Sequence, residues 1–188
     1  MRLIPFAAIC ALLASTAFAA MDVGKPSPPL TINQLHGPAL DIHQYRGKVV
    51  ALAFMDTNCP HCQHLTGLLN TIAKQFAGKG VQIVGCAFND GAQQLLPQFI
   101  QQFQPAFPVG YCSRQTVLTY LSYSVLQPLY VPHMVFLDRR GIVRGDFLGE
   151  SQFMANPEAN IPQELNDLLK VGTTSAAVRH KAATSAQR

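Results

Sequence analysis

Lys48-Val-Val-Ala-Leu-Ala-Phe-Met55, followed four residues on by Cys59-Pro60-His61-Cys62, is the stretch on which the fold turns. A near-continuous apolar run of strand length is the pattern of a strand covered on both faces in a parallel sheet. From Pro60 onward, Leu65, Leu68, Leu69, Ile72 and Phe76 recur at helical spacing, and Gly78 and Gly80 close the segment. A buried strand therefore runs straight into a helix at Cys59.

That junction gives Cys-x-x-Cys its meaning. The motif alone fits either a dithiol redox centre or half of a structural zinc site, and the second needs another ligand pair at suitable spacing. The chain has no second Cys-x-x-Cys. At a helix start, unpaired N–H groups and the dipole favour a thiolate over a thiol, which predicts Cys59 as the nucleophile. Cys62, one turn further in, is expected to be more buried and to resolve the mixed disulfide from within. Pro60 suits a first helical turn, and His61 can place a charge or a donor beside the Cys59 sulfur. Exchange of this kind requires no metal and no cofactor.

Working outward, Val81–Phe88 reads as a second buried strand and Asp90–Gln104 as a helix whose first part Pro97 bends or shortens. Phe107–Tyr111 reads as a short strand, Gln115–Tyr123 as a weak helix and His133–Asp138 as a strong strand. Ile142–Leu148 returns as its antiparallel partner after the turn at Arg139-Arg140-Gly141. Upstream, Leu30–Leu35 and Leu40–His43 form a small hairpin around Gly37-Pro38, preceded by a proline-rich loop. Ile161–Val171, with Pro162 in its first turn and Gly172 after its end, has the shape of a terminal helix. Alternating strands and helices with a closing hairpin argue an α/β sandwich around a mixed sheet.

The ends set the compartment and the domain count. Residues 1–19 carry Arg2, an apolar run and the small-residue pattern Ala17-Phe18-Ala19, which reads as a secretory signal peptide, with Cys10 lost along with it. Export to a periplasmic or other extracytoplasmic space leaves Cys59, Cys62, Cys86 and Cys112, an even set where disulfides persist. Residues 20–172 read as one domain, and 173–188, rich in Ala, Ser and Thr, as a disordered tail. The net charge of +4 contains no basic cluster, so nucleic acid is not an indicated partner. After signal cleavage no stretch is long and apolar enough to indicate membrane association.

Gly24-Lys-Pro26, Arg46-Gly-Lys-Val-Val50, Phe54-x4-Cys59-Pro-His-Cys62 and Val131-Pro132 ahead of a strand ending in Asp138-x-x-Gly141 occur in an order that resembles the TlpA/ResA-type branch of the thioredoxin-like superfamily. The resemblance covers roughly residues 22 to 172. It implies a thioredoxin-like fold, a mixed central sheet flanked by helices with an N-terminal hairpin and an inserted strand and helix. It also implies thiol:disulfide exchange with protein thiols, protein disulfides or a redox partner. By the same resemblance Pro132 is cis and lies against the active-site cysteines, and Val131 offers its backbone to the substrate.

Departures from the family matter as well. Cys-Pro-His-Cys, and Val before the proline, look like the disulfide-donating DsbA type, whereas the scaffold resembles reductants. Those two poles differ by about 150 mV, or about 7 kcal/mol for a two-electron couple. Ala53 stands where thioredoxins carry a buried Asp, and Leu65 where some relatives carry a Glu. Water, His61 or Asp56 is left to move the Cys62 proton, although Asp56 reads better as a loop residue or local cap.

Cys86 and Cys112 fall at the ends of two strands that are parallel neighbours in the resembling fold. Three readings stay open: a second disulfide, two buried thiols, or a second redox pair. From another functional class, Cys59, Cys62, His61, His64, His133, Met55 and Met134 could gather around copper, resembling Sco-type chaperones, which use a different Cys-x-x-x-Cys spacing. Individually, His64 and His133 read as surface or loop-lining residues, and Met55 and Met134 as core. A peroxide-reducing relative of the same fold class would need Thr or Ser three residues before its reactive cysteine, where this chain has Asp56.

Overall fold

The computed structural model describes residues 21–185; the signal-peptide reading of residues 1–19 and the last three residues lie outside the described ones. Seven strands run in chain order: β1 Thr31–Ile32, β2 Leu40–Asp41, β3 Val49–Met55, β4 Val81–Ala87, β5 Val109–Tyr111, β6 His133–Leu137 and β7 Val143–Phe147. The helices are α1 Pro60–Gln75, α2 Ala92–Phe103, α3 Arg114–Leu121 and α4 Pro157–Ser185.

The apolar run at residues 49–55 becomes the middle of a five-stranded sheet of order β5-β4-β3-β6-β7. It pairs in parallel with β4 and antiparallel with β6, and all seven of its residues are buried. Alternation divides its side chains between two cores. Val49, Ala51, Ala53 and Met55 face α1, α2 and α4 through Leu65, Leu69, Ile72, Leu96, Phe99, Ile161 and Leu165. Val50, Leu52 and Phe54 face the β1–β2 hairpin and α3 through Ile32, Leu40, Val117, Leu118 and Leu121. Each fully buried Leu or Phe contributes about 1.5–3 kcal/mol, so the two layers fix the height of β3 between them.

The segment leading into the hairpin touches both margins of the sheet. On the β7 side, Gly24 N donates to Val143 O (2.8 Å), Val143 N to Lys25 O (2.9 Å) and Ser27 N to Gly141 O (2.9 Å). On the β5 side, Asn33 and Tyr111 exchange two backbone bonds of 3.0 and 2.9 Å.

Two local expectations need correction. α2 runs as one helix from Ala92 to Phe103 with Pro97 inside it, two residues later at its start than the 90–104 expected. α4 begins at Pro157 and continues past Gly172 to Ser185, earlier and longer than the terminal helix expected over 161–171. Alanine's high helix propensity suits that continuation, and Gly172 is tolerated inside it.

Candidate active site

Cys59 is the N-cap residue of α1, with extended backbone angles (φ −77°, ψ 118°), and Pro60 takes the first helical position. The strand-to-helix turn before it is closely tied. Asn58 N donates to Asp56 Oδ1 (2.7 Å), and Cys59 N to Asp56 O (3.2 Å). Asp56 therefore acts as a local cap for the turn. Thr57 and Asn89 form two bonds: Thr57 N to Asn89 Oδ1 and Asn89 Nδ2 to Thr57 Oγ1, each 3.0 Å. Gln63 Nε2 reaches back from α1 to Thr57 O at 2.9 Å. Four side chains, those of Asp56 and Thr57 in the turn, Asn89 after β4 and Gln63 in the helix, thus hold the loop that presents Cys59.

The two sulfurs have different surroundings. Cys59 is half-buried, whereas Cys62 is sealed in the core beside Ala53, Met55, Leu65 and Met134. Its carbonyl accepts a 2.9 Å bond from Thr66 Oγ1. Burial pushes the Cys62 thiol far above its ordinary range; a backbone bond from Asp56 opposes this, and the adjoining Cys59 thiol reinforces it. Ala53 and Leu65, the places where relatives carry acids, belong to the same apolar cluster at 0% and 2% exposure, so no carboxylate enters it from either position.

Val131-Pro132 is a cis peptide. The Val131 carbonyl oxygen lies 4.0 Å from Cys59 Sγ, which places the approach to β6 beside that sulfur. Gly149 packs closely against the same peptide: a Cβ there would sit 3.0 Å from Val131 C and from Pro132 O. In front opens a cleft of about 330 Å³, with His61, His64, Leu65, Val131, Pro132 and Glu158 among its walls. His61 is exposed at its rim. His64 Nε2 is 3.4 Å from Glu158 Oε1 in an exposed pair that links α1 to α4 and contributes little energy.

His133 departs from the expectation of a surface or loop-lining residue. It is fully buried, with Nε2 hydrogen-bonded to Asp146 Oδ1 and its ring edge-on to Phe54 and Tyr123. An acid supplied by β7 makes that burial tolerable. Phe54, Tyr123 and His133 lie on the hairpin side of the sheet, while Met55, Met134 and Cys62 lie on the α1 side. The side chains considered for copper are thus divided by the sheet, and among the described residues no three His, Cys, Asp or Glu side chains converge.

The structure therefore brings Cys59, Cys62, His61, Pro60, Val131 and Pro132 together and sets Cys86 and Cys112 apart, on the hairpin side of the sheet. Gln63, Thr57, Asn89, Gly149 and Asp146 were missed from the sequence. Asn89-Asp90-Gly91 reads only as loop punctuation after β4, and the other four carry no local signal.

Comparison with known proteins agrees with this geometry. Residues 23–145 match the AhpC/TSA family. A protein named thiol-disulfide oxidoreductase ResA from Geobacillus thermodenitrificans is 30% identical over 126 residues, covering 66% of this chain and 68% of that protein. A ResA of Bacillus thuringiensis subsp. konkukian is 27% identical over 130 residues, covering 69% of this chain and 72% of its own. In fold, a thiol:disulfide interchange protein of the thioredoxin family from Chlorobium tepidum superposes with a TM-score of 0.65 at 19% identity, over 80% of this chain and 99% of the other. With a β3–α1 junction, a cis proline above it and ResA proteins among its relatives, the chain belongs to the AhpC/TSA family, in its thioredoxin-like, TlpA/ResA-like branch.

Proposed function

We propose that the protein is an exported thiol:disulfide oxidoreductase that exchanges a Cys59–Cys62 disulfide or dithiol with protein thiols or disulfides. The observation that carries this reading is the asymmetry of the pair: Cys59 is half-exposed under the Val131 carbonyl, and Cys62 is enclosed one helical turn behind it.

In the reducing direction, the Cys59 thiolate attacks a partner's disulfide, and one partner sulfur leaves as a thiol. Cys62 then loses its proton and attacks Cys59 Sγ, forming the Cys59–Cys62 disulfide and freeing the second partner thiol. The oxidising direction runs the same two steps backward. Burial of Cys62 keeps it from competing for the partner and reserves it for the second step. Val131 offers main-chain polar groups to an extended partner segment in the manner of strand addition. His61, at the rim, is placed to tune the Cys59 sulfur.

The peroxidase chemistry associated with other thiolates of this fold class is not favoured, because Asp56 holds its own turn in the place such a site would need Thr or Ser. Export is supported by the N-terminal apolar run with its Ala17-Phe18-Ala19 pattern.

Turnover of a model protein disulfide tests the reading: Cys59→Ser is expected to abolish exchange, and unchanged exchange would overturn it. A glutathione titration of Cys59/Cys62 assigns the direction, with potentials near about −270 mV marking a reductant and near about −120 mV an oxidant.

A further inference from the structure

The active site makes no use of two of the four cysteines among the described residues, and their arrangement is specific. Cys86 lies in β4, opposite Gly110 of β5 in the parallel register, and Cys112 follows β5 by one residue. Cys112 N donates to Ala87 O at 2.9 Å, which fixes the second residue beside the first. Their sulfurs are 2.9 Å apart. That is inside the contact distance of two unbonded sulfurs and within 1 Å of the bonding distance of about 2.05 Å.

Both side chains are buried, at 0% and 5% exposure, in the layer formed by the hairpin and α3. Cys62 belongs to the opposite layer, so the side chains of the two cysteine pairs lie on opposite faces of the sheet. This separation argues against direct passage of electrons from one pair to the other. Cys112 also immediately precedes Ser113, the N-cap of α3 whose Oγ accepts from Thr116 N (3.0 Å), so a bridge would pin a strand and a helix start at one point.

We propose that Cys86 and Cys112 form a structural disulfide that ties β4 to the β5–α3 junction and stays oxidised while Cys59 and Cys62 exchange. Two S–H bonds give way to one S–S bond. The two electrons and two protons pass to a donor of the disulfide class, small-molecule or protein, which leaves as two thiols. Burial and the adjacent Cys112 push the Cys86 thiol well above its ordinary range, so bridging belongs to the folding chain, before the layer closes. The inference rests on the exported reading only for the compartment that supplies the oxidant.

The test is independent of active-site chemistry. A Cys59→Ser/Cys62→Ser chain is refolded in glutathione buffer rich in the disulfide form, denatured, alkylated without reductant and digested with trypsin. Because no Lys or Arg lies between Lys79 and Arg114, one peptide, 80–114, carries both cysteines. The expected product lacks two hydrogens relative to the dithiol and carries no alkyl group. A peptide with two alkyl groups, or with glutathione on either sulfur, overturns the proposal even if exchange at Cys59 is intact in the unsubstituted protein. In that unsubstituted protein, mild reduction of the folded state is expected to expose Cys59 and Cys62 to alkylation while peptide 80–114 stays closed. Equal labelling of all four would overturn the claim that this bridge stays out of the exchange.

Discussion

His133, the residue after the cis proline, is bound through Nε2 to Asp146 Oδ1, and the other oxygen of that carboxylate accepts a 3.0 Å bond from Met21 N. One nearly enclosed acid, 6% exposed, thus ties the strand that carries the proline edge to β7 and to the start of the described chain. Nothing near His133 in sequence signals a buried partner thirteen residues away.

Removing one member of such a pair strands the other in an apolar layer. Asp146→Ala is expected to cost about 3 kcal/mol of stability. Urea unfolding monitored by circular dichroism measures it, and a loss below about 0.5 kcal/mol, the range of ordinary surface substitutions, would show that the pair carries no structural weight.

Under the proposed function, the unequal burial of the Cys59 and Cys62 sulfurs predicts unequal trapping. Cys62→Ser is expected to accumulate a mixed disulfide between Cys59 and its partner, visible on non-reducing gels, whereas Cys59→Ser accumulates none. Because burial raises the Cys62 thiol so strongly, its alkylation in folded Cys59→Ser should stay slow at neutral pH and rise only well above about pH 8.5. Rapid labelling at neutral pH would contradict the enclosed geometry.

Gly149 is required for close approach rather than for a special backbone angle. Gly149→Ala places a methyl group 3.0 Å from the Val131 and Pro132 backbone. The expected result is a shift of the Val131 edge away from Cys59, raising KM for protein substrates more than it lowers kcat. Steady-state kinetics would decide, and unchanged KM would mean that the edge does not bind substrate.

Asp138 is 5% exposed and receives Arg144 through Nε (2.9 Å) and Nη2 (2.7 Å). Burial alone would raise its carboxyl, but Arg144 and the Ile142 and Arg140 amides outweigh that and hold it below the usual carboxylate range. A lowered folded value means that this stabilisation is present above the unfolded carboxyl's pKa of about 3.9 and is lost as pH falls through the folded one. The stability gap between the native chain and Asp138→Asn should therefore shrink on acidification below that value. A gap independent of pH would refute the assignment.

Much of the architecture was legible because burial on both faces writes itself as an uninterrupted apolar run. β3, β4 and β6 fall within a residue or so of where Val49, Val81 and His133 suggested. Cys59 was legible as a helix start because Pro60, suited to a first helical position, follows it within five residues of the end of an apolar strand. The cis state of Pro132 came from resemblance to a family, since a Val-Pro pair has no such signature of its own. His133 was misread because a histidine heading a strand looks exposed until Asp146 arrives from β7. The turn's ties to Asn89 and Gln63 depend on side chains meeting across β4 and α1, which local patterns do not encode. α4 outran its expected end because a single glycine is a weak stop within an alanine-rich run.

The chain that leads into the hairpin bonds to Gly141 and Val143 at one margin of the sheet and, through Asn33, to Tyr111 at the other. A short strap therefore occupies part of both outer strands, where open N–H and C=O groups would invite pairing with other chains. Under the proposed function, in which an extended partner segment is received, such free edges would be rivals to the receiving one. With both flanks partly taken, the Val131 edge of the proposed function has fewer rivals for an incoming strand, and loss of the strap is expected to leave β5 and β7 open to pairing with other chains.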